Sequence, residues 1–275
     1  LRRFYMLINT VILFLRDALP IFVISIILIS MLQQESIKLR WYHLALLTSV
    51  MLSLILLNTM DEVAHTLDDT GREWFYACLY IVCYFISLLL LSQLAIVKRP
   101  LSPGRLTLIR LCAMALTVIV MTLNGANFLI YITGFWHQNN ASNALVAGVT
   151  LGVGICASIA VLLYFLMAFI ERYCRLIREV LLIVFSVGLL MKATKLLIQI
   201  DVLPGNRLLW DSNYLITENS ELGQLFTVFF GYDATPTLLQ LLLYISAIVI
   251  AFALIFFSST LSKSSRTIVS HKEVV

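Results

Sequence analysis

Charge is what this sequence has least of. Asp, Glu, Lys and Arg make up 12% of its 275 residues, and 61% are hydrophobic. A soluble domain carries about 25% charged residues and roughly half apolar ones. There is too little charge here to coat a water-facing surface, which excludes a soluble single-domain enzyme, a disordered chain and a nucleic-acid binder. Low-complexity tracts, linkers and domain boundaries are absent too. The five cysteines (Cys78, Cys83, Cys112, Cys156, Cys174) include no CxxC pair, and none falls where an oxidising compartment would pair it. They read as small buried apolar residues. The sequence contains no HExxH, GxSxG, phosphate-binding loop or CxxCH, so nothing in it points to an enzyme.

What is present is a series of long apolar runs, with mean hydropathy +0.97 over the chain. Seven stretches are long enough to cross a bilayer core, at 6–32, 41–59, 74–97, 106–136, 144–170, 180–200 and 237–258. An outer-membrane barrel would need alternating segments of about 10 residues; these runs are about twice that long. Within lipid, backbone groups must bond inside their own segment, so each run is a helix. The sequence therefore predicts an all-α polytopic membrane protein forming one transmembrane domain over 1–275, in contact with the lipid bilayer. Arg2-Arg3 precede the first run, which has no small-residue cleavage site and is read as a retained helix.

Basic residues set the expected orientation. Sorted by alternate gaps, one face holds 12 of the 19 basic residues and four acids, whereas the other holds four basic residues and ten acids. The basic face is assigned to the cytoplasm, with the N-terminus outside and the C-terminus inside, and the expected location is the bacterial inner (plasma) membrane. Segment 201–236 is then a long external loop, containing Trp210 and an apolar stretch from Leu222 to Phe230 that suits a reentrant or lid-like element.

Four charges remain inside the spans: Arg16, Asp17, Lys192 and Lys195. Each costs several kcal/mol there unless it is paired or hydrated. Pro20 leaves the carbonyl of Arg16 without its helical partner. The fourth run has its own polar break at matching depth, Asn124-Gly125-Ala126-Asn127. Two such breaks in corresponding helices suggest a 3+3 inverted repeat plus one helix, and a transport path. The path residues are Arg16, Asp17, Asn124, Asn127, Lys192 and Lys195. A structural network joining Asp17 to Lys192 is the competing reading. Outside, Asp61-Glu62-Val63-Ala64-His65-Thr66-Leu67-Asp68-Asp69 gathers four carboxylates and an imidazole. If helical, Asp61, His65 and Asp68 or Asp69 would share a face, giving either a metal-collecting vestibule or a solvated acidic loop. His43 and His137 read as interface residues. Gly148, Gly152 and Gly154 read as a close-packing surface, and 171–179 as a basic anchor that could touch anionic headgroups.

From Arg16-Asp17-Ala18-Leu19-Pro20 onward the chain resembles the oxidase-dependent iron permease family, whose hallmark Arg-Glu-Gly-Leu-Glu occurs in helices 1 and 4. The second copy would fall at Leu123-Asn124-Gly125-Ala126-Asn127. Glu73-Trp74-Phe75-Tyr76 resembles the family's acidic pair at the start of helix 3, with Tyr76 in place of the second acid. Ser220-Glu221-Leu222-Gly223 and Phe230-Gly231-Tyr232-Asp233-Ala234-Thr235-Pro236-Thr237 resemble its Ser-x-Leu-Gly and Gly-Tyr-x-Ala-x-Pro-Ser signature. The resemblance covers essentially the whole chain. It implies seven helices and iron as transported substrate along a path between helices 1 and 4, with Asp17 and Glu73 as metal-binding candidates and Asn124 and Asn127 as neutral ligands; Asp61, Glu62, His65, Asp68 and Asp69 of the outer loop are the further metal candidates. It also implies periplasmic iron-delivery or oxidase proteins as partners. Pro20, Asn124 and Asn127 stand where the motif has carboxylates, and three midplane cations face one Asp, which points to a changed substrate or to lost transport. The alternative to an iron permease is a non-transporting accessory subunit of a larger membrane complex.

Overall fold

In the computed structural model the described residues are 2–34, 37, 39–95, 102–136, 142–170, 176–205, 208–218 and 220–272. Side chains are described for the same residues apart from 2–9, 34, 61, 135, 136, 142–145 and 259–272. His137, Cys174 and the loop charges Glu35, Lys38, Lys98, Arg99, Glu171, Arg172, Arg175, Arg207 and Glu273 lie outside the described residues. So do the side chains of Arg2, Arg3, Asp61, Lys263, Arg266 and Lys272.

Eight helices account for most of the described chain: α1 (Arg2–Gln34), α2 (Arg40–Ala64), α3 (Gly71–Ala95), α4 (Pro103–Trp136), α5 (Ser142–Ile170), α6 (Ile177–Gln199), α7 (Glu221–Phe230) and α8 (Leu238–Lys272). All but the ten-residue α7 are long and apolar enough to cross a membrane. Seven apolar helices without a strand among the described residues make this an integral membrane protein. α1 runs through Pro20 without a break.

The helices do not pack in chain order. α1 packs chiefly on α5 and α4, α2 on α4, and α3 on α6. Exchanging the first three helices with the next three maps this pattern onto itself: α1 with α4, α2-on-α4 with α5-on-α1, α3 with α6. That is the pattern of two intertwined three-helix repeats. α8 lies against α3 and α6, and α7 against α1 and α6. The interior is filled largely by α1, where Leu19, Val23, Ile24, Ile27 and Leu28 are sealed. α5 and α8 lie at the periphery, with only 22% and 11% of their spans buried, so their apolar faces meet lipid or another chain.

Small residues set the closest approaches. A Cβ on Gly152 would lie 2.7 Å from the Cβ of Phe14, and one on Gly125 would lie 2.8 Å from Ser53 Oγ. These are the α5–α1 and α4–α2 contacts of the two repeats. Gly148 is also buried, but Gly154 faces open space and takes no part in the expected close-packing surface. Cys83, Cys112 and Cys156 are buried thiols, whereas Cys78 is exposed on α3, contrary to expectation, because it falls on that helix's outer face.

Segment 201–236 folds back onto the bundle. Its two ends zip together through a Leu208–Thr237 antiparallel bridge, with Leu209 N–H donating to Pro236 O at 3.0 Å and Ser212 N–H to Ala234 O at 2.8 Å. Ser220 starts α7 by accepting from Gly223 N–H at 3.1 Å. Gly231 ends it in the left-handed region (φ 67°). Thr237 and Gln240 exchange side-chain and backbone hydrogen bonds (2.7 and 3.2 Å), a capping box that launches α8.

Candidate functional site, a polar cavity beneath α7

A cavity of about 530 Å³ lies among α1, α3, α4, α6 and α7. The six path residues, from three helices far apart in sequence, all line it: Arg16, Asp17, Asn124, Asn127, Lys192 and Lys195. Glu73 lines it as well. Each reaches the site through a helical position that the apolar pattern sends inward. Asp17 stands about two turns, ~10 Å, into its span, and Lys192 a similar distance from the end of α6.

Asp17 is 3% exposed. Its two oxygens accept from Arg16 Nε at 3.1 Å and Nη2 at 3.2 Å. The carboxylate is thereby engaged at both oxygens by its own neighbour. Lys192, the partner expected for Asp17, makes no ion pair or hydrogen bond among the described residues; the adjacent guanidinium holds that place instead. Asn127 Oδ1 accepts from Tyr76 Oη at 2.9 Å and Arg72 Nη2 at 3.3 Å, and Arg72 also lies 5.8 Å over the Tyr76 ring. Tyr76 thus presents a hydroxyl donor to the site. Asn124 donates to its own helix at Val120 O (2.7 Å), and its amide oxygen carries no hydrogen bond.

Lys195 is held from the loop. Its Nζ donates to Glu218 Oε1 at 2.5 Å and lies 3.4 Å from Asp233 Oδ2. Asp233 is itself fixed by Gln240 Nε2 at 3.2 Å and Thr235 N–H at 3.1 Å. The cavity lining holds four cations, Arg16, Arg72, Lys192 and Lys195, and three acids, Asp17, Glu73 and Glu218, with Asp233 reaching Lys195 from outside that lining. Glu218 and Asp233 lie in a loop about 20 residues or more beyond Lys195, and helical periodicity gives no means of pairing them with α6. The signal that could have found Asp233 is its place inside the Gly-Tyr-Asp-Ala-Thr-Pro stretch.

Lys192, Lys195, Glu218 and Thr227 also line a second cavity of about 270 Å³ under Tyr232 and Tyr244. Between the two, Gly188 of α6 meets Gly231 backbone to backbone: a Cβ on Gly231 would lie 2.7 Å from Gly188 Cα. α7 is seated directly on α6 at that point.

Among the described side chains of 61–69 no metal vestibule is assembled. α2 ends at Ala64, and Leu67, Asp68 and Asp69 all adopt positive φ, so the common helical face is never formed. His65 Nδ1 pairs with Asp69 Oδ1 at 3.0 Å, both exposed; Glu62 and Asp68 stand apart in solvent, and the Asp61 side chain lies outside the described residues. No group of three or more His, Cys, Asp or Glu side chains suited to a metal ion occurs among the described residues. His43 is exposed beside Tyr42 at one end of α2.

Comparison with protein-family models, curated proteins and solved structures finds no match for the chain.

Proposed function

We propose that this chain is a membrane transporter whose route passes through the polar cavity beneath α7. One observation carries the reading: the intramembrane polar residues of α1, α4 and α6 converge on a single space instead of dispersing into separate helix–helix contacts. Ionisable groups placed within spans and facing a shared cavity are the usual lining of a substrate path. Iron is the cargo implied by the motif resemblance. The hard oxygen donors lining the cavity are Asp17, Glu73, Asn124 and Asn127, of which Asp17 would first have to release Arg16, and Asn127 to release Tyr76 and Arg72.

A second cargo class is favoured by the distribution of partners. Asp17, Glu218 and Asp233 are engaged by cations, Arg72 is engaged by Asn127 and Tyr76, and the acidic and basic side chains lining the cavity without an ion pair or hydrogen bond among the described residues are Glu73 and Lys192. One acid and one amine left over in this way complement a small zwitterion.

Reconstitution in vesicles separates these readings. Uptake of ferrous or ferric iron that is lost in Asp17→Ala supports the permease reading. Uptake of a zwitterionic amino acid that is lost in both Glu73→Gln and Lys192→Met, without iron flux, supports the second. Absence of flux for either class from well-folded protein would sink transport and leave the accessory-subunit reading, for which co-purification in fixed stoichiometry with other membrane chains is the expected result.

A further inference from the structure

A second site lies at the opposite end of the bundle, where α2 and α4 both begin. A cavity of about 510 Å³ there is lined by Arg40, Trp41 and Leu44 of α2 and by Leu106, Arg110 and Met114 of α4. Its chemistry is divided. Arg40 and Arg110 are exposed, and neither makes an ion pair or hydrogen bond among the described residues. Trp41 is 3% exposed, and its indole Nε1–H is buried without an acceptor. The remaining lining is apolar, and Leu44 is exposed on the outer flank of the bundle.

Two exposed guanidiniums with no counter-ion among the described residues flank one space, and the ring of Trp41 walls it. An oxyanion with several acceptor oxygens can meet both, and phosphate matches the guanidinium fork. The apolar half distinguishes the source. Leu44, Leu106 and Met114 belong to membrane-crossing helices and open sideways, where acyl chains lie. A free phosphate would gain nothing from them.

We propose that this cavity binds the headgroup phosphate of an anionic phospholipid, with Arg40 and Arg110 as its ligands and the Leu44–Leu106–Met114 groove, walled by Trp41, holding the first part of an acyl chain. Two positive charges for one phosphodiester favour a lipid of net negative charge over a zwitterionic one. The site lies on the face that charge sorting assigns to the cytoplasm, and it is independent of any transported solute.

The test uses the full chain in detergent, with bound lipid counted by native mass spectrometry and thermal stability read in parallel. Phosphatidylglycerol is expected to be retained and to raise the melting temperature more than phosphatidylcholine does. Arg40→Gln/Arg110→Gln should weaken phosphatidylglycerol retention by about tenfold or more. The single Arg110→Gln, at an exposed position, should weaken it less while leaving the fold intact. Equal retention by the double-arginine variant and the unaltered chain overturns the proposal. So does stabilisation by inorganic phosphate that phosphatidylglycerol does not exceed, which would identify a free-phosphate site. Should the double variant fail to fold, Arg110→Gln and the comparison of the two lipids on the unaltered chain still decide the question.

Discussion

Arg16 and Asp17 are neighbours in the chain and close on each other, two nitrogens to two oxygens at 3.1 and 3.2 Å, inside a membrane-crossing helix. The pair brings a carboxylate into the bundle already neutralised. Only Asp17 is sealed; the Arg16 side chain is half exposed to the cavity.

That asymmetry predicts unequal effects of substitution. Asp17→Ala removes the anchor and leaves a guanidinium facing four-helix surroundings, for a loss of about 1–3 kcal/mol. Arg16→Met leaves Asp17 buried and unpaired, and should cost more, about 3–5 kcal/mol. Arg16→Met/Asp17→Asn should recover much of that. Thermal unfolding in detergent measures all three, and a double variant no more stable than Arg16→Met would contradict the pairing.

Gly231 holds α7 on α6. Gly231→Ala places a side chain in the left-handed region, at about 1–2 kcal/mol, and drives a methyl into Gly188 for about 1–3 kcal/mol more. The expected outcome is a loosened α7. A cysteine introduced at Thr227, which lines both cavities, should then react faster with a water-soluble maleimide than it does in the parent. An unchanged rate would show that α7 is seated by other contacts.

Lys195 ties the 201–236 segment to the bundle through Glu218 and Asp233. Because Lys195 is half exposed, each link contributes at most about 1 kcal/mol. Lys195→Met severs both, and Glu218→Gln only one. Hydrogen exchange over 208–220 should therefore rise more in Lys195→Met than in Glu218→Gln. Equal protection in both would show that the Leu208–Thr237 bridge alone holds the segment.

Gly152 and Gly154 are two residues apart and should differ sharply. Gly152→Leu collides with Phe14 and should lower the melting temperature, at about 1–3 kcal/mol or more. Gly154→Leu enters open space and should be close to neutral.

Orientation is open to a direct measurement. With Cys78 replaced, a cysteine at Tyr214, which is 82% exposed in the 201–236 segment, should be labelled from outside intact cells by an impermeant reagent. Labelling only after lysis would reverse the topology.

The membrane-spanning elements were legible because their cause is local. Length and apolarity alone dictate a helix in lipid, and the observed ends differ from expectation by a few residues for most helices, where amphipathic turns extend beyond the apolar core. The gathering of Arg16, Asp17, Asn124, Asn127, Lys192 and Lys195 was legible for a related reason: a polar residue in a span has few places to go. Glu218 and Asp233 were not legible, because their partner is chosen by tertiary folding of a loop. Nor was the collapse of the 61–69 face, which depends on three consecutive left-handed residues after Ala64 that no helical wheel anticipates. Arg40 and Arg110 entered only as charges of the basic face; packing of α2 on α4 brings them to one cavity.

The exchange of partners between the two triplets of helices also bears on biogenesis. α1 is made first, but its principal neighbour α5 is the fifth span to leave the ribosome, and α2 must wait for α4. The first three helices therefore enter the bilayer with their best surfaces uncovered, and final assembly is postponed until the second triplet arrives. A break between α3 and α4 should accordingly be survivable: two halves synthesised separately in the same cell should find each other and restore the bundle, while either half alone is degraded.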